Sequence, residues 1–456
     1  MKVLFINPPV IRDDNSSPEN DFKIKGFVFK SFYRKIPGVY RLFKFLNKYY
    51  GLGKGVRYGV RAGSRWPWTM EIPPGALHYP FIMAYAASYL RSKGFEVNIL
   101  DAVAEEEYDY DKFLDKIKKE APDIVIAECS TPTIDIDVWF AKKVAKFFKV
   151  ALAGSHLNEE TIKEIQHNAP EIKYFLCGEY ILNTYELVKS RKEGVYPSKV
   201  VEDLDSIPFP FRDYKSATKY YDPTMPTKRP QLQIYSSKGC PFRCVFCMWP
   251  QIMYHGVVSL RRPQKVYEEI NECIRKYGFK SIFFDDDTFN IGTERISLLC
   301  DYLKKIGLPW TMMGRIDISP DWLFDKMVDS GCVGMRFGVE TFNLDVLRRI
   351  NKGIERIDFK STLNRISKKY PGLMIHLTMM KDLPGQSEEI HNEDMKILKA
   401  MGFSESNIFR SYQIASCAPF PGTRLYEELK SKVDVEILKD YKSYDGSKDT
   451  VMKRIG

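Results

Sequence analysis

Three cysteines, Cys240, Cys244 and Cys247, stand in the stretch SSKGCPFRCVFCMWPQ (residues 236 to 251), with an aromatic residue, Phe246, directly before the third. Three sulfur ligands leave a tetrahedral metal site one ligand short. A structural zinc ion would complete it with a distant residue such as His255, but zinc motifs usually join two Cys-x-x-Cys units and the chain has no second one. A 4Fe-4S cluster held by three thiolates instead keeps one iron open to a small molecule. Three buried thiols without a metal are the remaining reading.

The elements around the cysteines bear on the choice. Apolar runs at 231 to 236, 280 to 286, 308 to 315, 333 to 340, 373 to 380 and 406 to 414 read as strands, and amphipathic segments at 263 to 277, 293 to 305, 320 to 330 and 387 to 401 read as helices between them. Repeated βα units of this kind predict a partial (βα)6 barrel of the TIM type over residues 231 to 430, with chemistry at the C-terminal strand ends. The cysteines follow the first of those strands, so ligand type and location agree. Upstream, runs at 3 to 6, 95 to 101, 123 to 128, 149 to 154 and 174 to 178 alternate with helical patterns such as 80 to 93 and 136 to 148. That alternation predicts an α/β doubly wound, Rossmann-like domain over residues 1 to 195. The Pro- and aromatic-rich stretch 196 to 230 reads as a linker, and residues 431 to 456 as an extension with no strong motif.

The C-x3-C-x2-C spacing with Phe246 in the aromatic slot resembles the signature of the radical S-adenosylmethionine (SAM) superfamily. The resemblance implies a 4Fe-4S cluster on Cys240, Cys244 and Cys247 whose open iron chelates the amino and carboxylate groups of SAM. SIFFDDDTF at 281 to 289 is similar to the second-strand segment that receives the methionine amino group, which implies that role for Asp285, Asp286 and Asp287. MGRIDIS at 313 to 319 and GMRFGVET at 334 to 341 resemble the next two strand ends, implying that Arg315 and Glu340 contact the SAM carboxylate or ribose. KDLPGQSEE at 381 to 389 resembles a Gly-Leu-Pro-Gly turn beside the adenine, which nominates Pro384 and Gly385, although Asp382 replaces the first glycine. Competing readings are a solvated loop or divalent-cation site for the three aspartates, and a structural ion pair for Arg315 with Glu340. Cys417, just past the last strand, is a candidate hydrogen-atom donor to a product radical or a small buried side chain.

The first domain resembles the cobalamin-binding domain that precedes the barrel in one branch of the superfamily. In doubly wound sheets ligands lie beyond the carboxyl ends of the strands. The loops there hold Asn7 and Pro8, then Ser130, Thr131 and Thr133, then Gly154, Ser155 and His156, then Gly178 and Glu179, whose small and hydroxyl groups would let a flat corrinoid approach the backbone. No Asp-x-His-x-x-Gly motif supplies a histidine to cobalt; His156 is the alternative ligand, or a locally bonded loop residue. A domain that keeps the fold without the corrinoid is the competing expectation. FCMWPQ and FFDDDTF resemble in particular the radical enzymes that form a hopanoid cyclitol ether. The implied reaction is hydrogen abstraction from an unactivated C–H bond, followed by cobalamin-dependent methylation or a ring-forming rearrangement. An electron donor of flavodoxin or ferredoxin type is implied with it.

Composition narrows the partners. The 456 residues, 44% of them hydrophobic, can fill two or three domains. The net charge of +10 is local: residues 22 to 70 carry twelve Lys or Arg and no Asp or Glu, leaving 57 of the 69 basic residues against 59 acidic ones elsewhere. Within it, residues 22 to 50 combine eight basic with ten aromatic side chains, a mixture suited to an anionic membrane surface or lipid headgroup, or to a helical cover on the first domain. A lipid- or sugar-linked small molecule is expected as substrate, and nucleic acid is not. Nine cysteines without a disulfide-like framework, no apolar run of membrane-spanning length and no signal-peptide core point to a cytoplasmic protein. A metal-stabilised adaptor without catalytic activity, held at a membrane surface, is the alternative of a different class.

Overall fold

The computed structural model describes residues 1–9, 77–105, 107, 109–444 and 451–455, together with strand segments Ile11–Asp13, Val56–Gly59 and Thr69–Met70, which form a small antiparallel sheet. The basic stretch 22 to 50, and with it the expected membrane contact, lies outside the described residues. The chain divides into two units, Met1–Val200 with Pro208–Tyr220, and Val201–Ile207 with Tyr221–Gly456. The stretch expected to be a linker is thus shared out between the units. Residues 208–220 pack into the first, where Tyr79 donates its hydroxyl to the Phe211 carbonyl at 2.7 Å.

The first unit is built on six parallel strands, β1 (Lys2–Asn7), β2 (Glu96–Asp101), β3 (Ile124–Glu128), β4 (Lys149–Gly154), β5 (Tyr174–Cys177) and β6 (Gly194–Tyr196). Their order in the sheet is β2-β1-β3-β4-β5-β6. The central strands read as unbroken apolar runs because a parallel sheet is covered on both faces; Val3, Leu4, Phe5 and Ile6 are all fully buried. The edge strand β6 escapes a sequence reading because it is three residues long and exposes Val195. Helices are punctuated by local chemistry: Asp109 caps Tyr110–Glu120, and Asn158 with Thr161 forms a capping box on Glu159–Asn168.

The second unit carries β7 (Gln231–Ile234), β8 (Ser281–Phe284), β9 (Trp310–Gly314), β10 (Cys332–Glu340), β11 (Met374–Lys381) and β12 (Arg410–Ser416), all parallel and paired in chain order. Among the described residues nothing pairs β7 with β12, so the barrel is partial and open along one side. Strand residues such as Ile234, Phe284, Met312, Phe337 and Leu377 join residues of the surrounding helices in one apolar core. Residues beyond 417, uninformative as sequence, form a smaller core in which Phe420, Tyr426, Leu438, Tyr444 and Val451 pack together. No helix of the described residues is long and apolar enough to cross a membrane.

Candidate functional site

The cysteine loop leaves the end of β7 through a short antiparallel stem in which Ser237 and Lys238 pair with Leu260 and Ser259. Arg261 locks the stem's foot: its guanidinium, 1% exposed, binds Asp205 at 3.1 Å, Glu269 at 2.6 Å and the Tyr235 carbonyl at 2.9 Å. Gly239 opens the loop at φ +86°, where a methyl group would come 2.1 Å from the Val257 carbonyl oxygen. Only glycine fits that close approach. Cys244 is buried, Cys240 and Cys247 are half-buried, and the Cys240 sulfur lies 3.3 Å from the Thr288 hydroxyl. Burial pushes the Cys247 thiol well above its ordinary range, and the neighbouring Cys244 and Cys240 thiols push it further. Among the described residues no group of three His, Cys, Asp or Glu side chains forms a single-ion site. The loop fits a cluster by its thiol chemistry, burial and placement at a strand end.

The acidic run is anchored by Phe284 and Phe289, whose rings pack on Trp310 with centroids 5.6 and 5.5 Å away. Between them the carboxylates turn toward the cysteine loop. Asp286, fully buried, accepts from the Ser236 amide at 2.8 Å and from the Ser236 and Ser237 hydroxyls at 2.5 and 2.6 Å. Burial raises its carboxyl above the ordinary value against those hydrogen bonds. Asp287 accepts from the Gly239 amide at 2.8 Å. Asp285 is fully buried at the end of β8. The donors to Asp286 and Asp287 are therefore the serines and glycine of the cysteine stem. Asp286 and Asp287 brace the loop, a use that the expected contact with an amino group does not include.

Arg315 and Glu340 are not each other's partners. Arg315, 4% exposed, forks onto Asp317 at 2.9 and 2.7 Å, donates to the Lys352 carbonyl at 2.9 Å and stacks over Phe242 at 3.6 Å. Glu340 holds the Lys352 ammonium at 2.7 Å, with both side chains about nine-tenths buried. Glu340 sits at φ +69° on a bulge at the end of β10, and a methyl group on Gly338 would fall 2.7 Å from its carboxylate and 3.0 Å from Lys352 Nζ. Burial alone would lower the lysine, and the charge and hydrogen bond of Glu340 together with the nearby Cys244 thiol more than offset it. Lys352 and Arg315 in turn counter the upward push of burial on the Cys244 thiol. Lys352, which the sequence reading missed, thus belongs to the surroundings of the cysteines.

The turn after β11 explains its sequence anomaly. Asp382 occupies φ +58°, the left-handed region that glycine enters freely and aspartate tolerates. Gly385, after Pro384, is at φ +81°, and a methyl group there would meet Arg349 Nη1 at 2.7 Å. Gln386 donates to the Met380 carbonyl and to Asp394, both at 3.2 Å, while Asp394 also accepts from Thr341 and from the Phe342 amide, both at 2.7 Å. The buried Asp394 therefore ties this turn to the residue following Glu340. Cys417 is fully buried in the barrel's apolar core, and burial raises its thiol far above the ordinary range. That placement matches a small packing residue rather than a donor at an open site. Phe246 is half-buried against the same core.

In the first unit the nominated polar groups are spent inside the loops. Asn7 donates to Asp101 at 2.9 Å, and Tyr220 donates to the same carboxylate at 2.7 Å. Pro8 is buried. The Ser130 and Thr133 hydroxyls lie 2.8 Å apart, Thr133 donates to Asp137 at 2.8 Å, and the Ser130 amide reaches Asp137 at 3.1 Å. Thr131 meets His156 Nδ1 at 3.1 Å. His156 is 1% exposed, burial lowers it to about 3, and its Nδ1 is engaged with Thr131. Gly154, at φ +134°, lets the chain pass where a methyl group would come 2.5 Å from the Cys129 carbonyl oxygen. Ser155, half-buried, and Gly178 and Glu179, both buried, complete the strand ends. Asp137, 1% exposed, was legible only as a carboxylate four residues after Thr133.

Residues 234–396, which include the cysteine loop and five of the six barrel strands whole or in part, match the family model of the radical SAM superfamily. The chain thus carries a radical SAM domain over those residues, of the superfamily that works with a 4Fe-4S cluster and SAM. It is 28% identical over 379 residues to an uncharacterized methyltransferase of Pyrococcus horikoshii, spanning 76% of this chain and 78% of the relative. It is 24% identical over 429 residues to the cytidylyl-2-hydroxyethylphosphonate methyltransferase of Streptomyces wedmorensis, spanning 77% of each. The solved structure of the radical SAM methyltransferase TsrM from Kitasatospora setae superposes with a TM-score of 0.60 at 14% identity, covering 78% of this chain and 73% of TsrM. That likeness establishes a shared fold.

Proposed function

We propose that the protein is a cobalamin-dependent radical SAM methyltransferase, with Cys240, Cys244 and Cys247 as the cluster ligands. The observation that carries the cobalamin half is the strand order β2-β1-β3-β4-β5-β6, which puts the topological switch point between β1 and β3. The loops holding Asn7 and Pro8 on one side and Ser130 to Thr133 on the other flank it. The Ser130, Thr131 and Thr133 hydroxyls are satisfied within the unit, so the loops offer a preformed surface of backbone and small groups. His156 is engaged with Thr131 through Nδ1 and is given no role toward cobalt in this reading. TsrM, which shares the fold, holds cobalamin and a [4Fe-4S] cluster in its solved structure.

A 4Fe-4S cluster held by Cys240, Cys244 and Cys247 would supply the electron for reductive cleavage of SAM to methionine and a 5′-deoxyadenosyl radical, and methylcobalamin held by the first unit would supply a methyl group. The protein's own part is aim and exclusion of water. Arg315 and Lys352 stand beside the cysteines, each held by a carboxylate, Asp317 and Glu340, and are the cations assigned to the carboxylate of SAM. The turn at Pro384 and Gly385, tied to β10 by Asp394, is the surface assigned to the adenine. The substrate is assigned to an amphiphilic, lipid- or sugar-linked class on the basic aromatic sequence 22 to 50 alone.

The test is anaerobic binding of hydroxocobalamin to the purified protein by gel filtration with visible absorption, followed by turnover with SAM and a strong reductant in an extract that supplies substrate. Stoichiometric cobalamin and S-adenosylhomocysteine formed beside 5′-deoxyadenosine are expected. 5′-Deoxyadenosine without S-adenosylhomocysteine would instead assign a ring-forming rearrangement, and protein that binds no cobalamin would refute the methyl-transfer reading.

A further inference from the structure

Cysteine ligands on a loop hold a cluster only if the loop's backbone is held, and in the second half of this loop one side chain gathers three backbone carbonyls. Trp249–Met253 forms a π-helical turn, a form found mostly at functional sites. From it the Gln251 amide donates to the carbonyls of Cys244 at 3.0 Å, Val245 at 3.2 Å and Cys247 at 2.8 Å. Its own oxygen accepts from the Arg424 amide at 2.7 Å. Arg424 is the first residue of a helix, Arg424–Lys430, whose second amide, Leu425, donates to the Val245 carbonyl at 3.0 Å. Two amides that a helix start leaves without intrahelical partners are thus satisfied by the cysteine loop. One side chain thereby fixes the turn between Cys244 and Cys247 and joins it to the C-terminal segment.

We propose that Gln251 is a positioning residue for the cluster, and that the segment from Arg424 onward is part of the cluster's scaffold; this rests on the assignment of the three cysteines as its ligands. An amide is needed because the same side chain must donate to carbonyls and accept from an N–H. Glutamate keeps the acceptor, loses both donors and turns a charge toward three carbonyl oxygens.

The experiment compares wild-type protein with Gln251→Ala, Gln251→Glu, Arg424→Pro and Arg424→Ala after anaerobic reconstitution. It reads iron and sulfide per chain, the rate of iron loss to a ferrous chelator, and the electron paramagnetic resonance spectrum of the reduced cluster with and without SAM. Thermal unfolding of the cluster-free proteins controls for folding. Arg424→Pro removes the N–H alone: proline is favoured at the first helical position, and Thr423 at φ −81°, ψ 154° already has the conformation that precedes proline. Gln251→Ala and Arg424→Pro should lose iron on the order of tenfold faster than wild type, with altered spectra and unchanged cluster-free melting, and Gln251→Glu faster still. Arg424→Ala should resemble wild type. Equal chelation rates and spectra in wild type, Gln251→Ala, Gln251→Glu and Arg424→Pro would overturn the proposal alone. Wild-type protein that takes up no iron would overturn the cysteine assignment and the proposal with it.

Discussion

Replacing Lys352 with methionine isolates the pair that stands beside the cysteines. Lys352 and Glu340 are 2.7 Å apart with side chains 8% and 10% exposed, so removing the cation leaves a carboxylate buried without its counter-charge. Breaking a buried pair from one side costs about 3–5 kcal/mol, whereas replacing both partners with neutral groups of similar size is close to neutral. Gly338 allows no rearrangement toward β10, because the pair already fills the space next to its α-carbon. Urea unfolding of the cluster-free protein should therefore show Lys352→Met destabilised by about 3–5 kcal/mol, and the double variant Lys352→Met with Glu340→Gln by about 1 kcal/mol or less. In the reconstituted protein the single variant should also lower the cluster's reduction potential, since a cation near Cys244 favours the more negative, reduced state. A single variant within 1 kcal/mol of wild type, or a double variant no better than the single, would refute the argument from burial.

Three further outcomes follow from the geometry. Gly239→Ala must part the stem at the Val257 carbonyl, so iron retention should fall while the cluster-free barrel still melts cooperatively; retention equal to wild type would contradict the close approach. Asp382→Gly should change stability by no more than about 0.5 kcal/mol, because relief of left-handed strain is balanced by unfolded-chain entropy, whereas Asp382→Val should cost about 1–3 kcal/mol; equal effects in urea would contradict the backbone assignment. Burial holds the folded His376 at about 3, against ~6.5 when unfolded, so the unfolded chain binds the extra proton in that window. Stability is lost as pH falls from about 6.5 toward 3, by up to ~1.4 kcal/mol per pH unit, and His376→Gln should lessen the loss between pH 7.5 and 5 by about 2 kcal/mol; parallel pH profiles would contradict it.

Both parallel sheets were legible because their strands are short unbroken apolar runs, a pattern that burial on two faces imposes. The cysteines and the polar residues at strand ends were legible as types and spacings. Their partners were not, since Ser236, Asp317, Lys352 and Asp394 reach the site from turns and helices that only the folded barrel brings near. The same limit shows in the first unit: Ser130 and Thr133 read as ligand-facing hydroxyls, yet Asp137 on the following helix takes them. Asp382 read as a departure from a glycine pattern until its backbone angle showed that the conformation is kept. Gln251 carried no motif, and its role emerges only from three carbonyls and an amide meeting at one side chain.

The most direct measurement is the yield of 5′-deoxyadenosine from reconstituted protein, reductant and SAM under anaerobic conditions, beside iron and sulfide per chain, for wild type and for Cys240→Ala, Cys244→Ala and Cys247→Ala. The account predicts about four irons and four sulfides with 5′-deoxyadenosine in the wild type, and loss of the nucleoside in each variant. A variant that keeps full cluster content and undiminished 5′-deoxyadenosine formation would contradict the assignment of these three thiols.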